Sequence, residues 1–404
     1  MQGGAADRPV PYDDGPRVLS LYEGFFSGGA RILHTSMVRS LHATTAQRHA
    51  VLGLTDRSVR EATVQPASSD PSYRRLRSAG VPVTTLARGA AEPMRRSHLA
   101  RVRRATAETD VVLSLKEQPL VALEESGAGG RPVIACLHRS DPERQGRGLE
   151  VLAGLVREGV VTHAVCCARS TQAAYHAATG IALERLPVIP NGVDLDRFRP
   201  IPAVRAASRR ELGVRGAAPV LLLSARFDPM KDVPLFLRAA AELVRTHPAA
   251  HLVLCGAGMS AGNRALTDLL AATLGAWDGA HEQVHLLGIR EDMPALCNAA
   301  DLVVLTSAFG EAAPLALLEG MACGAVPVTT DVGDAAELVG DSRLVVGRDP
   351  VDVADAWAAA FEQRAEHAAR ISHHRQELSD QRCFDAYAAL IEACARPEAL
   401  TAAV

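Results

Sequence analysis

Short apolar runs alternate with stretches of helical spacing along most of this chain. Val18–Tyr22 (VLSLY), Ala50–Leu54, Val81–Thr85, Val111–Leu115, Val133–Leu137 and Ala164–Cys167 are each brief, β-branched or cysteine-rich, and bounded by turn or polar residues. The glycine-rich GFFSGG turn (residues 24–29) and a helical pattern over Ala30–Leu41 follow the first run. A second series starts after residue 200. Strands are expected at Val220–Ser224, Leu252–Cys255, Val284–Leu287, Leu302–Thr306, Val326–Thr329 and Leu344–Val346. Helices are expected at Val233–Thr246, Asn263–Leu274 and Met293–Ala299. Such alternation fits parallel sheets with helices on both faces, because a strand covered on two sides can be apolar at every position. Two series imply two doubly wound α/β domains facing one another. The segment PNGVDLDRFRP (Pro190–Pro200), with its bounding prolines and Asn191-Gly192 turn, is the natural linker. The tail from Val351 to Ala395 reads as helical with a break near Ser379-Asp380.

Composition removes several classes of function. With 404 residues, 48% apolar and 22% charged, the chain is an ordinary two-domain globular protein. A net charge of −3 implies no nucleic-acid partner. The opening MQGGAADRPVPYDDGPR has no apolar core and reads as no signal peptide; no apolar run reaches the length of a membrane helix. The eight cysteines show no CxxC spacing and read as small buried thiols, which suits a cytoplasmic protein.

Chemistry concentrates in GEAAPLALLEGMACG (Gly310–Gly324). Pro314 suits a first helical position and Gly324 the residue past the end, so Glu311 precedes a helix that carries Glu319. Free backbone N–H groups and the positive end of the helix dipole then lie between two carboxylates, a setting for a phosphate flanked by sugar hydroxyls. Arg226 and Lys231 follow the strand Val220–Ser224 and can grip a diphosphate, the arginine as a fork and the lysine as a point charge. Lysine occurs only at 116 and 231, which singles out both positions. Ile289 and Arg290 can border a base pocket, and Gly28 and Gly29 allow close backbone approach to a ligand. His138 and Lys116 end strands and are candidates for substrate contact, against the plainer reading of structural residues. Asp194-Leu195-Asp196 matches a D-x-D metal pattern but lies in the linker, so no metal site is expected there. The basic run Arg95, Arg96, Arg101, Arg103 and Arg104 has too few apolar companions for a lipid-facing helix and reads as solvated.

Taken together, Gly28-Gly29, the strand ending in His138, PNGVDLDRF, ARFDPMKD, the GIRED turn and GEAAPLALLEGMACGAVPVTTDVGD resemble the family-4 retaining glycosyltransferases of the GT-B fold. The resemblance implies a first Rossmann-like acceptor domain over 1–195 and a donor domain over 196–379, with the helix in 380–404 packing back on the first. It implies that Arg226 and Lys231 hold the donor diphosphate, Glu319 the ribose and Glu311 the transferred sugar. Ala312, Ala313 and Leu315 would offer backbone amides, Gly29 would approach the phosphate and Arg290 would lie near the base. The expected co-substrate is a nucleotide-diphosphate sugar, a UDP-sugar first, and the acceptor a hydroxyl on a small soluble molecule. No metal or other cofactor is required, and a homodimer is admitted. Ala312-Ala313 replaces the common Gly-Phe of the family, which leaves the sugar open, and Asp334 has no assigned role. Competing readings are a cell-envelope polysaccharide or glycolipid glycosyltransferase, a glycogen-synthase-like polymerase, an NDP-sugar epimerase or hydrolase, and a non-catalytic nucleotide-sugar-binding protein.

Overall fold

The computed structural model describes residues 15–396, apart from 27, 61 and 62. Most of the opening segment read for a signal peptide, and the last residues of 380–404, lie outside the described residues.

The first sheet is built from β1 (Arg17–Tyr22), β2 (Arg48–Gly53), β5 (Val83–Thr85), β6 (Val111–Leu115), β7 (Val133–Leu137) and β8 (Val161–Cys166). Its spatial order is β5-β2-β1-β6-β7-β8, all parallel. The second comprises β9 (Val220–Ser224), β10 (His251–Cys255), β11 (Val284–Leu286), β12 (Leu302–Leu305), β13 (Val326–Thr330) and β14 (Val345–Val346) in the order β11-β10-β9-β12-β13-β14, again parallel. Between β2 and β5 stands a separate antiparallel hairpin, β3 (Arg57–Arg60) with β4 (Thr63–Pro66). With that hairpin set aside, each sheet has the doubly wound dinucleotide-fold order, so each places a crevice at the carboxyl ends of its central strands.

The expected strands stand within a few residues of their positions, with local corrections. The run over Val81–Thr85 contributes a strand only from Val83, because the Val81 N–H closes the preceding helix on Leu76 O and Pro82 has no N–H to give. No strand was expected over Arg57–Arg60 or Thr63–Pro66, because RSVR and TVQP carry a single valine each and show no apolar alternation. Pro314 is the N-cap of the Leu315–Ala322 helix and has extended backbone (φ −69°, ψ 117°), rather than filling the first helical position.

One apolar cluster spans the second domain, from Val220 through Trp357 to Leu378. Two clusters cover the faces of the first sheet. One of them takes in Cys383, Phe384, Tyr387 and Ile391 of the last helix, Asp380–Ala395. That helix packs on the Gly29–Thr44 helix and β6, and Gln47 Nε2 donates to Ala388 O at 3.1 Å. The chain therefore crosses between domains twice. The crossings lie side by side: Val193 N–H donates to Leu378 O at 2.8 Å and Asp380 N–H to Val193 O at 3.1 Å. Gly192 makes this approach feasible, because a Cβ there would stand 2.5 Å from Asp380 Cα.

Candidate functional site

The carboxyl ends of β6 and β7 face those of β9 and β10 across a cleft of about 330 Å³. All thirteen residues singled out from sequence line it: Gly28, Gly29, Lys116, His138, Arg226, Lys231, Ile289, Arg290, Glu311, Ala312, Ala313, Leu315 and Glu319.

On the second-domain wall, Lys231 Nζ is ion-paired with Glu311 Oε1, and Ser307 Oγ donates to the same oxygen at 2.6 Å. Glu311 is only 5% exposed. A buried carboxylate is tolerated because a cation and a hydroxyl share it. Lys231 is itself positioned by the short turn Pro229–Lys231, whose N-cap Asp228 accepts from Met230 N at 2.9 Å. Arg226 is far more open: its side chain is 47% exposed, with Asp228 at 3.5 Å. A guanidinium so placed can turn to an incoming anion at little cost in lost contacts. The helix Leu315–Ala322 starts between the two glutamates, and its N-cap Pro314 makes no side-chain cap. Its first N–H groups are therefore available to an oxyanion. Glu319 sits within this helix, and burial pushes its carboxyl up to about 7, partly opposed by Arg197. Arg290 is held by Asp292, with Nε to Oδ1 at 2.7 Å.

The first-domain wall is basic and close-packed. His138 is half-buried. Burial, reinforced by Lys116, pulls its imidazole down to about 3, so the ring is neutral. Its Nε2 meets no hydrogen-bonding partner among the described residues. Lys116 has φ +73°, an uncommon left-handed conformation for a side-chain-bearing residue, and its ammonium is pulled down by burial and by Arg31. Arg31 is 3% exposed, lies 3.8 Å over the Phe26 ring and donates through Nη1 to Phe26 O at 2.5 Å.

Sequence reasoning missed Phe26, Arg31, Arg139 and Asn191, all in the cleft lining. Arg31 was hidden inside an apparently ordinary amphipathic helix, although its place two residues after Gly29 was a signal. Arg139 directly follows His138, and Asn191 was read only as a turn former. The D-x-D aspartate Asp194 is occupied in its own turn, where Oδ1 accepts from Asp196 N at 3.0 Å and Arg197 N at 2.9 Å. Among the described residues no group of three or more His, Cys, Asp or Glu is placed to hold a metal ion. No helix among them is long and apolar enough to cross a membrane.

Two family models match in tandem, one on each domain: Glycosyltransferase Family 4 over residues 27–197 and Glycosyl transferases group 1 over residues 218–363. The chain belongs to glycosyltransferase family 4. Curated relatives include D-inositol 3-phosphate glycosyltransferases from Geodermatophilus obscurus, 36% identical over 222 residues (52% of this chain, 48% of the relative), and from Corynebacterium jeikeium, 38% identical over 179 residues (42% of each). The chain thus spans about half the length of the curated relatives it matches. Among solved structures, Anabaena Alr3699/HepE in complex with UDP-glucose superposes with a TM-score of 0.76 at 22% identity, covering 94% of this chain and 100% of that one. Sucrose-phosphate synthase from Thermosynechococcus elongatus does so at 0.72 and 16%, covering 97% and 100%. These likenesses establish the fold: this family-4 chain is a GT-B protein of two Rossmann-like domains.

Proposed function

We propose that this family-4 protein is a retaining glycosyltransferase that moves a sugar from a UDP-sugar to an acceptor hydroxyl without a metal ion. The observation that carries the reading is the convergence of Arg226, Lys231, Glu311 and Glu319 on one cleft around an open helix start. In this reading Glu319 accepts hydrogen bonds from the ribose diol, and Arg226, Lys231 and the helix N–H groups receive the diphosphate. Glu311 faces the transferred sugar. The bond between the anomeric carbon and the β-phosphate oxygen breaks, and its electron pair stays on that oxygen. The acceptor oxygen attacks the same face of the oxocarbenium-like centre, and its proton passes to the departing phosphate. The cations and the helix start stabilise the charge that develops on the leaving group. His138, neutral and with an unsatisfied Nε2, is positioned to hydrogen-bond a sugar hydroxyl.

The acceptor is best sought among small polar molecules bearing an anionic group. Lys116 and Arg31 give the first-domain wall an excess of positive charge, and the relatives named above are D-inositol 3-phosphate glycosyltransferases. Calorimetry with UDP-, GDP- and ADP-sugars tests the donor. Mass spectrometry with phosphorylated and unphosphorylated polyols tests the acceptor, and the anomeric coupling of the product tests retention. Failure of every uridine and guanosine sugar to bind would overturn the proposal.

A further inference from the structure

The segment 309–313, which delivers Glu311 to the cleft, is held from the opposite domain at every residue. Arg144 lies 3.9 Å over the Phe309 ring. The Arg139–Asp141 ion pair packs on Gly310 so closely that a Cβ there would stand 2.9 Å from both Arg139 Nη2 and Asp141 Oδ2. Ser140 Oγ donates to Glu311 O. Cys167 and Ala168 pack on Ala312, and Asn191 Nδ2 donates to Ala313 O at 2.8 Å. The remaining tie runs through Asp334. Its carboxylate accepts from Arg169 N at 2.6 Å and Ser170 N at 2.8 Å, the first amides of the Arg169–Thr179 helix. That helix has Ala168 as its N-cap, which carries no side-chain oxygen to cap it. The cap is supplied from the other domain instead. Asp334 N–H in turn donates to Ala312 O at 3.0 Å, and neighbouring Gly333 lets Glu311 O come so near that a Cβ would be 2.2 Å from it.

We infer that Asp334 is a positioning residue: by capping a first-domain helix while bonded to Ala312, it makes the sugar-facing loop around Glu311 complete only when the two domains are together. The inference rests on the glycosyltransferase reading for its effect on turnover, not for the contact itself. A nucleotide alone is gripped by Arg226, Lys231 and Glu319, which Asp334 does not touch, so its binding is separable from the ordering of the loop. The carboxylate also benefits from the positive end of the helix it caps.

The test compares wild type with Asp334→Ala and with Asp334→Asn, which preserves volume and one acceptor oxygen. In Asp334→Ala, kcat falls about tenfold or more, as expected for loss of a helix cap from the reactive arrangement, whereas UDP affinity by calorimetry stays within about twofold. Asp334→Asn falls between. Hydrogen exchange quickens at the amides of Arg169 and Ser170 and across 309–313 in both variants. Turnover unchanged in Asp334→Ala, or UDP affinity falling in step with kcat, would overturn the inference. So would unchanged exchange at those amides, a readout that holds even if wild type transfers no sugar. A wild type that neither binds nor turns over any nucleotide sugar would break the functional reading while leaving that exchange readout to decide the role of Asp334.

Discussion

The two domains share one strand order, yet they hold the cleft in different ways. The second domain presents contiguous chemistry: Arg226 and Lys231 in one loop, Glu311 and Glu319 around one helix start. The first presents scattered side chains whose importance depends on what lies opposite, such as Arg31, Lys116, Asn191 and the Arg139–Asp141 pair. On the proposed function the difference has a physical reason: a diphosphate needs a fixed cluster of cations and N–H groups, which one strand-end loop with one helix can supply, whereas an acceptor pocket needs shape, which many positions share.

The sharpest way to break this contrast is Lys231→Ala. Turnover is expected to fall by about 10²- to 10³-fold, because the variant loses leaving-group stabilisation and leaves Glu311 with Ser307 alone. A steady-state assay with circular dichroism for the fold checks it, and near-normal transfer would remove the second domain's claim to the chemistry. Arg226→Ala comes next. The side chain is half-exposed, so the melting temperature should hold while donor binding weakens about ten- to a hundredfold, as for loss of a hydrogen bond between charged groups.

A smaller effect is expected from pH. Burial raises the Glu319 carboxyl to about 7. If its ionised form receives the ribose, UDP affinity increases several-fold as pH rises through about 7, and Glu319→Gln removes that part of the dependence. The corresponding stability term has the opposite course. The folded state keeps a proton that the unfolded chain gives up, so stability declines as pH rises from the ordinary glutamate range to about 7 and is level above it. Glu117, also raised to about 7 by burial, contributes with the same sign, so the binding titration and not the melting curve isolates Glu319. The smallest effect concerns the linker. Asp194→Ala should cost about 1 kcal/mol of stability through its turn while turnover is unaltered by EDTA in either protein, since this carboxylate caps backbone amides. A turnover that needs added metal and vanishes in the variant would reinstate the D-x-D reading.

The sheets were legible because strands buried on both faces are apolar at nearly every position, as in VVLSL and VLLLS. The second-domain side of the cleft was legible because Lys231 is one of two lysines in the chain and the two glutamates flank a readable helix start. The hairpin Arg57–Pro66 was not, since its charged and hydroxyl side chains conceal the period of two. Lys116 could be noticed as a rare lysine but not as a left-handed residue, because that φ is imposed by the turn after β6. Asp334 was opaque for a more general reason: its partners are backbone amides some 165 positions earlier, and amides leave no mark in a sequence.

The paired crossings at Val193 and Ser379 bear on how such a cleft can open. One connecting segment would act as a ball joint, free to swing and twist about every axis. Two segments lying side by side and pinned to each other act as a hinge with a defined pin, along which relative motion is reduced towards a single angle. A domain that reopens about a fixed pin returns along the same arc, so Ser140, Asn191 and the Arg169 amide meet Glu311, Ala313 and Asp334 again without a search in three dimensions. The doubled thread would thereby return the two walls of the cleft to one alignment whenever they part.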